Sequence, residues 1–516
     1  MAPHARWIAT FIAAAGLCLS SMTAGAVALG SGGRGQVLLF PYYTVNANNN
    51  TLVSIVNTSG QAKALRVRFA EGQNGRDALS LDVYLGSRDV WTAAIGPNPD
   101  NSGGAMLVTH DASCTVPAIP ASGIAFSSIA FSGDNADAGG ASLARTREGF
   151  IEVIEMGTLL NAYPLLQSCA MVVAAWQPAG MWTQDAASGL ANPTGGLYGT
   201  GYVVNVGQGT IFAYAATALQ DFRTDPHDQP RGSSATLVLH TAPGAAHPNL
   251  ADAVSDPAQD AVRAEVATDD GFLTTNYPAT RAIDAVSAVL MASALSNDYS
   301  MAAAEGSSTS VVFAYPTRRF YTDPAWAGDA ALAPFTHLFS GVEHNTETEY
   351  APLLAYSRSG FVDRPPCGTS GCPLSMQMPG TSVELLALGD GANQLLGSGL
   401  VGFAGLEFNI FQQDPVTGQL VLQTPQEGWI LVDFDGSLSA FLNDDAVGPM
   451  PSRFMRPSLE DRIFAGLPVI GFSAQNLVNA NAQPGVLANY SSAVAHRVRT
   501  NCYVPAAVSL APAPCR

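Results

Sequence analysis

The sequence predicts a mainly β protein: two or more immunoglobulin-like β-sandwich domains with one or a few short helices. Three observations carry this prediction. Short segments alternate apolar and polar residues. In LRVRF (65–69) Leu65, Val67 and Phe69 alternate with Arg66 and Arg68, and in LSLDVYL (79–85) Leu79, Leu81, Val83 and Leu85 alternate with Ser80, Asp82 and Tyr84. Period two places one face on a core and the other in water, as antiparallel strands do. Turn residues punctuate the chain, with 50 Gly and 33 Pro among 516 residues, which suits many short strands joined by loops. Charged residues make up only 12%, about half the usual share of roughly 25%.

Residues 1–26 read as a cleavable export signal: Arg6 precedes an apolar run from Trp7 to Leu19, and the small residues Ala24, Gly25 and Ala26 follow. The run is too short to span a bilayer permanently, and Leu17 before Cys18 does not suit lipid attachment. An extracellular, cell-surface or periplasmic location is therefore expected, with no transmembrane segment in the mature chain. A glycine-rich leader (31–35) precedes an N-terminal β-sandwich half over 35–240 that starts with GQVLLFPYYTVN (35–46) and TLVSIVNTS (51–59). The polar, Pro- and Asp-containing stretch at 241–262 reads as a linker. A C-terminal, mainly β half then runs over 263–516. Within it, Ile283, Val286, Val289, Leu290 and Leu295 recur near helical spacing among alanines, which predicts a helix over 280–297.

The two halves echo one another. REGFIEVIEMGTL (147–159) matches QEGWILVDFDGSL (426–438) at Glu148/Glu427, Gly149/Gly428, Ile151/Ile430, Val153/Val432, Gly157/Gly436 and Leu159/Leu438. VLLFPY (37–42) echoes VVFAYP (311–316), and YVVNVGQGTIFAYA (202–215) echoes LVNANAQPGVLANY (477–490), at nearly the same offset. This common spacing points to a distant repeat. In the strongest pair, Gly149 and Gly428 are expected to permit a backbone turn, with the rings of Phe150 and Trp429 filling cores.

With Cys18 lost in the signal, six cysteines remain, and six allow 15 connectivities. They cluster as Cys114 with Cys169, Cys367 with Cys372, and Cys502 with Cys515, so local disulfides are expected in an oxidising compartment. Cys367 and Cys372 lack the second pair of Cys or His ligands that a zinc site needs. Formal net charge is -18, and Lys63 is the only lysine. No basic patch exists to neutralise phosphates, so nucleic acid and anionic membrane are poor partners.

Catalytic signatures are sparse. No G-x-S-x-G occurs: Ser473 follows Gly471 but precedes Gln475, and Ser370 follows Gly368 but precedes Cys372. Glu343, His344, Glu347 and Glu349 supply one imidazole where a helical zinc protease needs two. A glycosidase needs two facing carboxyls, and Glu148 with Glu152, or Asp433 with Asp435, share a strand face. Only Glu148/Glu427 recurs between the halves, since Glu152 aligns with Leu431 and Glu155 with Phe434. Acids around glycine turns also gather hard oxygen ligands, so Asp433, Asp435 and Ser437, and separately Asp134 and Asp137, are candidate Ca2+ ligands. An outer-membrane barrel would want strands of about 9 to 11 residues, longer than most segments here.

Several stretches resemble an uncharacterised family of exported bacterial proteins: GQVLLFPYYTVN (35–46) with NTS (57–59), DVWTAAI (89–95), TREGFIEVIEMG (146–157), FAYPTRRFYTD (313–323) and GLPVIGF (466–472). FAYPTRR departs from the FPT expected at that point. The resemblance implies a shared architecture and brings no activity, cofactor or catalytic residue. The expected function is a secreted or cell-surface structural or binding protein without catalytic activity, with a surface polysaccharide or protein as partner. The alternatives are a carbohydrate-active hydrolase and a subunit of an extracellular envelope assembly. A cleft lined by acids would favour the hydrolase, and a flat apolar or aromatic patch a binding or assembly module.

Overall fold

Period-two segments become strands, and the strands pair antiparallel into two sandwiches. A computed structural model describes residues 25–100, 102–224, 237–255, 260–302, 306–339, 349–358, 375–378, 380–389, 395–406, 410–413, 417, 420–423, 426–436, 453–505 and 513–515. The first sandwich comprises β1 (Ala28–Leu29), β2 (Val37–Thr44), β3 (Asn50–Asn57), β4 (Ala62–Glu71), β5 (Asp77–Leu85), β6 (Val90–Pro97), β7 (Ala105–Val108), β8 (Cys114–Val116), β9 (Ile124–Ala125), β10 (Glu148–Leu159), β11 (Leu190–Ala191), β12 (Leu197–Asn205), β13 (Thr210–Ala215) and β14 (Thr217–Gln220). One sheet has the order β1-β14-β2-β10-β4-β5-β8, with β11 on β10, and the other β13-β12-β3-β6-β7-β9. Leu65, Val67, Phe69, Leu81, Val83, Ile151 and Val153 from the first sheet join Val53, Ile55, Trp91, Ile95, Val203 and Phe212 from the second in one core. Burying each large apolar chain stabilises by roughly 1.5–3 kcal/mol.

A hairpin, β15 (Ala261–Thr268) with β16 (Gly271–Pro278), leads to the second sandwich. Its strands are β17 (Met291–Ala292), β18 (Ala294–Ser300), β19 (Ser308–Ala314), β20 (Glu349–Ser357), β21 (Ser375–Met378), β22 (Val383–Leu388), β23 (Val401–Leu406), β24 (Ile410–Gln413), β25 (Leu420–Gln423), β26 (Glu427–Asp433), β27 (Ile463–Ala465), β28 (Leu467–Pro468), β29 (Ile470–Gln483), β30 (Val486–Ala495) and β31 (Arg497–Arg499), followed by β32 (Asn501–Val504) and β33 (Ala513–Pro514). The main sheets have the orders β31-β18-β26-β20-β21 and β30-β29-β19-β22-β23.

These orders superpose, strand for strand and in chain order, on β14-β2-β10-β4-β5 and β13-β12-β3-β6-β7 of the first sandwich. One pairing differs: β23 runs parallel to β22, whereas β7 is antiparallel to β6. Two of the three sequence echoes fall on equivalent strands, β10 with β26 and the β12–β13 hairpin with the β29–β30 hairpin. The third does not. VLLFPY forms β2, whose counterpart is β18, while VVFAYP forms most of β19, the counterpart of β3. Both are fully buried strands, and burial on two faces selects the same apolar residues without common position.

Helices are short: α1 (Ala162–Leu166), α2 (Cys169–Ala175), α3 (Met181–Gln184), α4 (Ala282–Val289), α5 (Arg319–Thr322) and α6 (Pro324–Ala327). Among the described residues none is long and apolar enough to cross a membrane. The helix expected over 280–297 ends at Val289, because Ala294–Ser300 pairs with β26 and β31 instead. Tertiary pairing overrides a weak alanine-rich propensity there. Disulfides join Cys114 to Cys169, tying β8 to α2, and Cys502 to Cys515; Cys367 and Cys372 lie outside the described residues.

Arg66 and Arg68, expected to face water, are buried. The expected linker explains this. The Arg66 guanidinium donates to the carbonyls of Thr241, Ala242, Ala245 and His247, and Arg68 donates to those of Ala245 and Ala246. The segment thus roofs the outer face of the first sheet, where Arg66 meets Asp82 at 2.5 Å and Arg68 meets Glu152 at 3.5 Å.

The sandwiches meet at one end of the first and along the edge strands β13 and β30, where Tyr214 stacks on Phe472 at 4.8 Å. The turns β2–β3, β4–β5 and β12–β13 and the start of β10 form one end of the first sandwich. The second sandwich covers it with residues 319–323, 382–383 and 395–400, from its opposite end.

Candidate functional site

Glu148, the first residue of β10, lies within that junction. Its carboxylate accepts hydrogen bonds from Tyr42 Oη (2.8 Å), Ser398 Oγ (2.5 Å) and Gly399 N (2.8 Å). Burial raises its pKa above the ordinary carboxyl range, and those three donors oppose the shift. Its counterpart Glu427 opens β26 and pairs instead with Arg358 at 2.6 Å. The repeated glycines do not make a left-handed turn. A Cβ on Gly149 would lie 1.9 Å from the carbonyl oxygen of Ala70 on β4, and one on Gly428 would lie 1.8 Å from that of Tyr356 on β20, the equivalent strand. Close strand approach is what excludes a side chain. The aromatic neighbours diverge. Phe150 is buried at the junction, whereas Trp429, expected in a core, is 37% exposed and stacks face to face on Tyr356 at 4.0 Å.

The other acids are dispersed. Glu152 is held by Arg68 under the roof segment, and burial raises its pKa. Asp137 is gripped at both oxygens by Arg145 (2.5 and 3.0 Å), which also binds Glu71, so the 134–140 turn is an ion-pair anchor; Asp134 is exposed on that turn. Asp433 and Asp435 are buried at the end of β26, where Asp435 accepts from Asn501 Nδ2 at 2.6 Å and Asp433 from the amide of Asp435 at 3.3 Å. Ser437 lies outside the described residues. Among the described residues no three His, Cys, Asp or Glu side chains converge as a metal site would need. A cavity of about 330 Å³ is bordered by Arg34, Gln36, Thr194, Gln220 and Asp221, and one of about 130 Å³ by Asp269, Asp270, Tyr503 and the Cys502–Cys515 bridge. Neither contains Glu148 or Glu152, and neither brings two facing acids from different strands.

Polar burial elsewhere is structural. Lys63 Nζ contacts Glu155 at 2.6 Å and Thr194 Oγ at 2.8 Å, while the amides of Thr194 and Gly195 donate to the same carboxylate. Trp176 Nε1 donates to Tyr84 Oη (2.8 Å), Tyr84 donates to His240 Nε2 (2.9 Å), and His240 Nδ1 donates to the carbonyl of Ala186 (2.6 Å). This chain leaves no room for a second ring proton, and burial lowers the pKa of His240 to about 4.

The feature that residue-type reasoning missed is a sheet face. Strands β3, β6, β7, β12 and β13 contain no charged residue. Their burial alternates, so the outward positions are set apart. Leu52 (41%), Val90, Tyr198 and Ile211 (50%) are exposed there, among Ser54, Val56, Thr92, Ala94, Thr200, Tyr202 and Val204. The face continues across the junction: β13 abuts β30, with Ile211 N donating to Ser491 Oγ (2.9 Å), and Tyr490 and Val494 of β30 are exposed beside it. The available signal was that these five segments carry no charged residue, although β4, β5 and β10 intervene in the chain. No family model, curated protein or solved structure matches the chain.

Proposed function

We propose that this protein is an exported structural or binding protein, not a catalyst, and that it works through the outer face of the six-stranded sheet, whose strands carry no charged residue. The carrying observation is that this face exposes Leu52, Tyr198 and Ile211 with no charge on any of its strands β3, β6, β12 and β13. Water-facing sheet faces ordinarily alternate in polar and charged residues, and contiguous apolar patches mark interaction sites. Tyrosine and threonine between aliphatic chains suit a flat partner, either a polysaccharide, whose sugar rings stack on tyrosine, or an uncharged protein surface. The disulfides support an oxidising compartment, and the export-signal pattern at 1–26 supports secretion. The resemblance to exported bacterial proteins points the same way. A hydrolase gains no support from the acids, since Glu148 is closed off by Ser398 and Gly399.

Leu52→Lys with Ile211→Lys tests this reading. Both positions are exposed, so stability should change by less than about 0.5 kcal/mol. Cell fractionation should show the parent bound to the cell surface and the double variant released. Equal retention of both would refute a role for this face.

A further inference from the structure

Lys63 is the only lysine among 516 residues, and it lies inside the first sandwich. Its Nζ stands 2.6 Å from Glu155 Oε1, and neither side chain is exposed to water. The pair bridges β4 and β10, adjacent inner strands of the first sheet. Thr194 Oγ1 accepts from Nζ at 2.8 Å and fixes the ammonium from a second side. The carboxylate is held as firmly. The successive amides of Thr194 and Gly195 donate to Oε1 (3.0 Å) and Oε2 (2.7 Å), and Thr158 Oγ1 donates to Oε1 (3.3 Å). A buried ion pair is a poor stabiliser, because the cost of desolvating two charges can exceed their attraction. The second sandwich folds without charge at this position: the residue aligned with Glu155 is Phe434, which is fully buried. Packing alone therefore does not explain why the first sandwich places its single lysine against a carboxylate there.

We propose that Lys63 and Glu155 condense into an intramolecular amide that ties β4 to β10 covalently. A proton passes from Nζ to Oε1 along their 2.6 Å contact, leaving an amine with a lone pair beside a carboxylic acid. The lone pair attacks Cδ and forms the N–C bond. The C=O π pair moves onto Oε2, where the Gly195 amide stabilises the developing negative charge. When that pair returns to rebuild the C=O, the Cδ–Oε1 bond breaks, and Oε1 takes a second proton from the nitrogen and leaves as water. Nζ starts with three protons, gives two to the departing oxygen and keeps one, so ammonium and carboxylate become amide and water with no other reactant and no redox change. Two effects favour the step. Well-oriented groups held together react as if at up to about 10⁵–10⁸ M, and the neutral product removes two charges from a dry site. The cavity of about 330 Å³ is bordered by Thr194 and Gly195, the residues that hold the pair, and gives the released water a way out. Unlike the disulfides, this bond survives reduction, and it forms wherever the folded chain resides.

Mass spectrometry of the purified, reduced chain beside Lys63→Met tests the proposal. The variant should be heavier than the parent by the Lys-to-Met difference plus one water, a comparison that cancels any trimming of the N-terminus. Trypsin digestion of the reduced, unfolded parent should give peptide 35–66, uncut at Lys63, joined to peptide 148–223. Acylation of the unfolded parent should modify the α-amine alone, because Lys63 supplies the only ε-amine. The digest and the labelling use the parent alone, so they decide the matter even where Lys63→Met does not fold. A parent of full sequence mass that is cut after Lys63 and takes a label at its ε-amine would overturn the proposal and leave an ion pair.

Discussion

Gly149→Ala is the sharpest test of why a glycine follows Glu148 and Glu427. The new Cβ would stand 1.9 Å from the carbonyl oxygen of Ala70, and ordinary contact begins near 3.4 Å, so β4 and β10 must separate by 3.4 − 1.9 = 1.5 Å at that point. That is about a third of the ~4.8 Å strand spacing, enough to break the hydrogen bonds beside it. Two backbone bonds at about 1 kcal/mol each and overpacking strain of about 1–3 kcal/mol give a loss of roughly 3–5 kcal/mol. Gly428→Ala should act alike in the second sandwich, where the gap is 3.4 − 1.8 = 1.6 Å. Neither glycine has a left-handed φ, so the cost is contact and not conformational preference. Gly60→Ala, at a glycine with open space around it, is the control and should stay within about 0.5 kcal/mol. For a sandwich of about 200 residues, 3–5 kcal/mol lowers Tm by roughly 6–20 °C, readable by calorimetry. A fall of less than about 2 °C for both Gly149→Ala and Gly428→Ala would refute the close-approach argument.

Two further outcomes follow from buried groups. Lys63→Met should cost about 3–5 kcal/mol in urea unfolding because it strands the Glu155 carboxylate, and adding Glu155→Leu should recover much of that loss; a double variant no better than the single would show that packing, not charge, decides. His240 is held to a pKa of about 4 by burial, so its ring resonances should not titrate between pH 7 and 5. A folded pKa below the unfolded value near 6.5 means that the unfolded chain takes the proton first. The stability the ring contributes is therefore complete above about pH 6.5 and lost as pH falls toward 4, up to about 3 kcal/mol at about 1.36 kcal/mol for each pH unit between the two values. Comparing parent with His240→Gln at pH 7 and 4.5 isolates this from Asp82, whose raised pKa of about 6 acts in the opposite direction. A pH-independent difference would count against a neutral, buried imidazole.

The strands were legible because alternation needs only one buried face. LRVRF and LSLDVYL did form paired strands. What alternation could not say is that the second face is also buried. Arginine on a strand reads as solvent-facing, yet Arg66 reaches carbonyls about 175 residues away along the chain, from Thr241 and Ala242. A roof made of backbone carbonyls leaves no trace in side-chain pattern. The same limit hid the role of Glu148, whose donors Ser398 and Gly399 come from the other sandwich. The sheet face was legible in principle, as strands without charge, but reading for chemistry searches for charged residues and passes over their absence.

The matching strand orders show which sequence echoes fall on equivalent positions. Apolar runs such as VLLFPY and VVFAYP look alike yet occupy non-equivalent strands, because many residues satisfy a buried strand. Glu148-Gly149 and Glu427-Gly428 occupy equivalent positions because their constraint is backbone geometry. A core leucine can be exchanged for isoleucine with repacking at less than about 1.5 kcal/mol, but a residue with a Cβ replaces a glycine whose Cβ position lies within 2 Å of a neighbouring carbonyl only at the larger cost worked out above. The aromatic residue that follows is free to differ, and its surroundings decide its state. Phe150 is covered because a second sandwich follows the first in the chain. Trp429, at the matching place, is 37% exposed and stacks on Tyr356, because its strand start lies at the end of the second sandwich away from the junction.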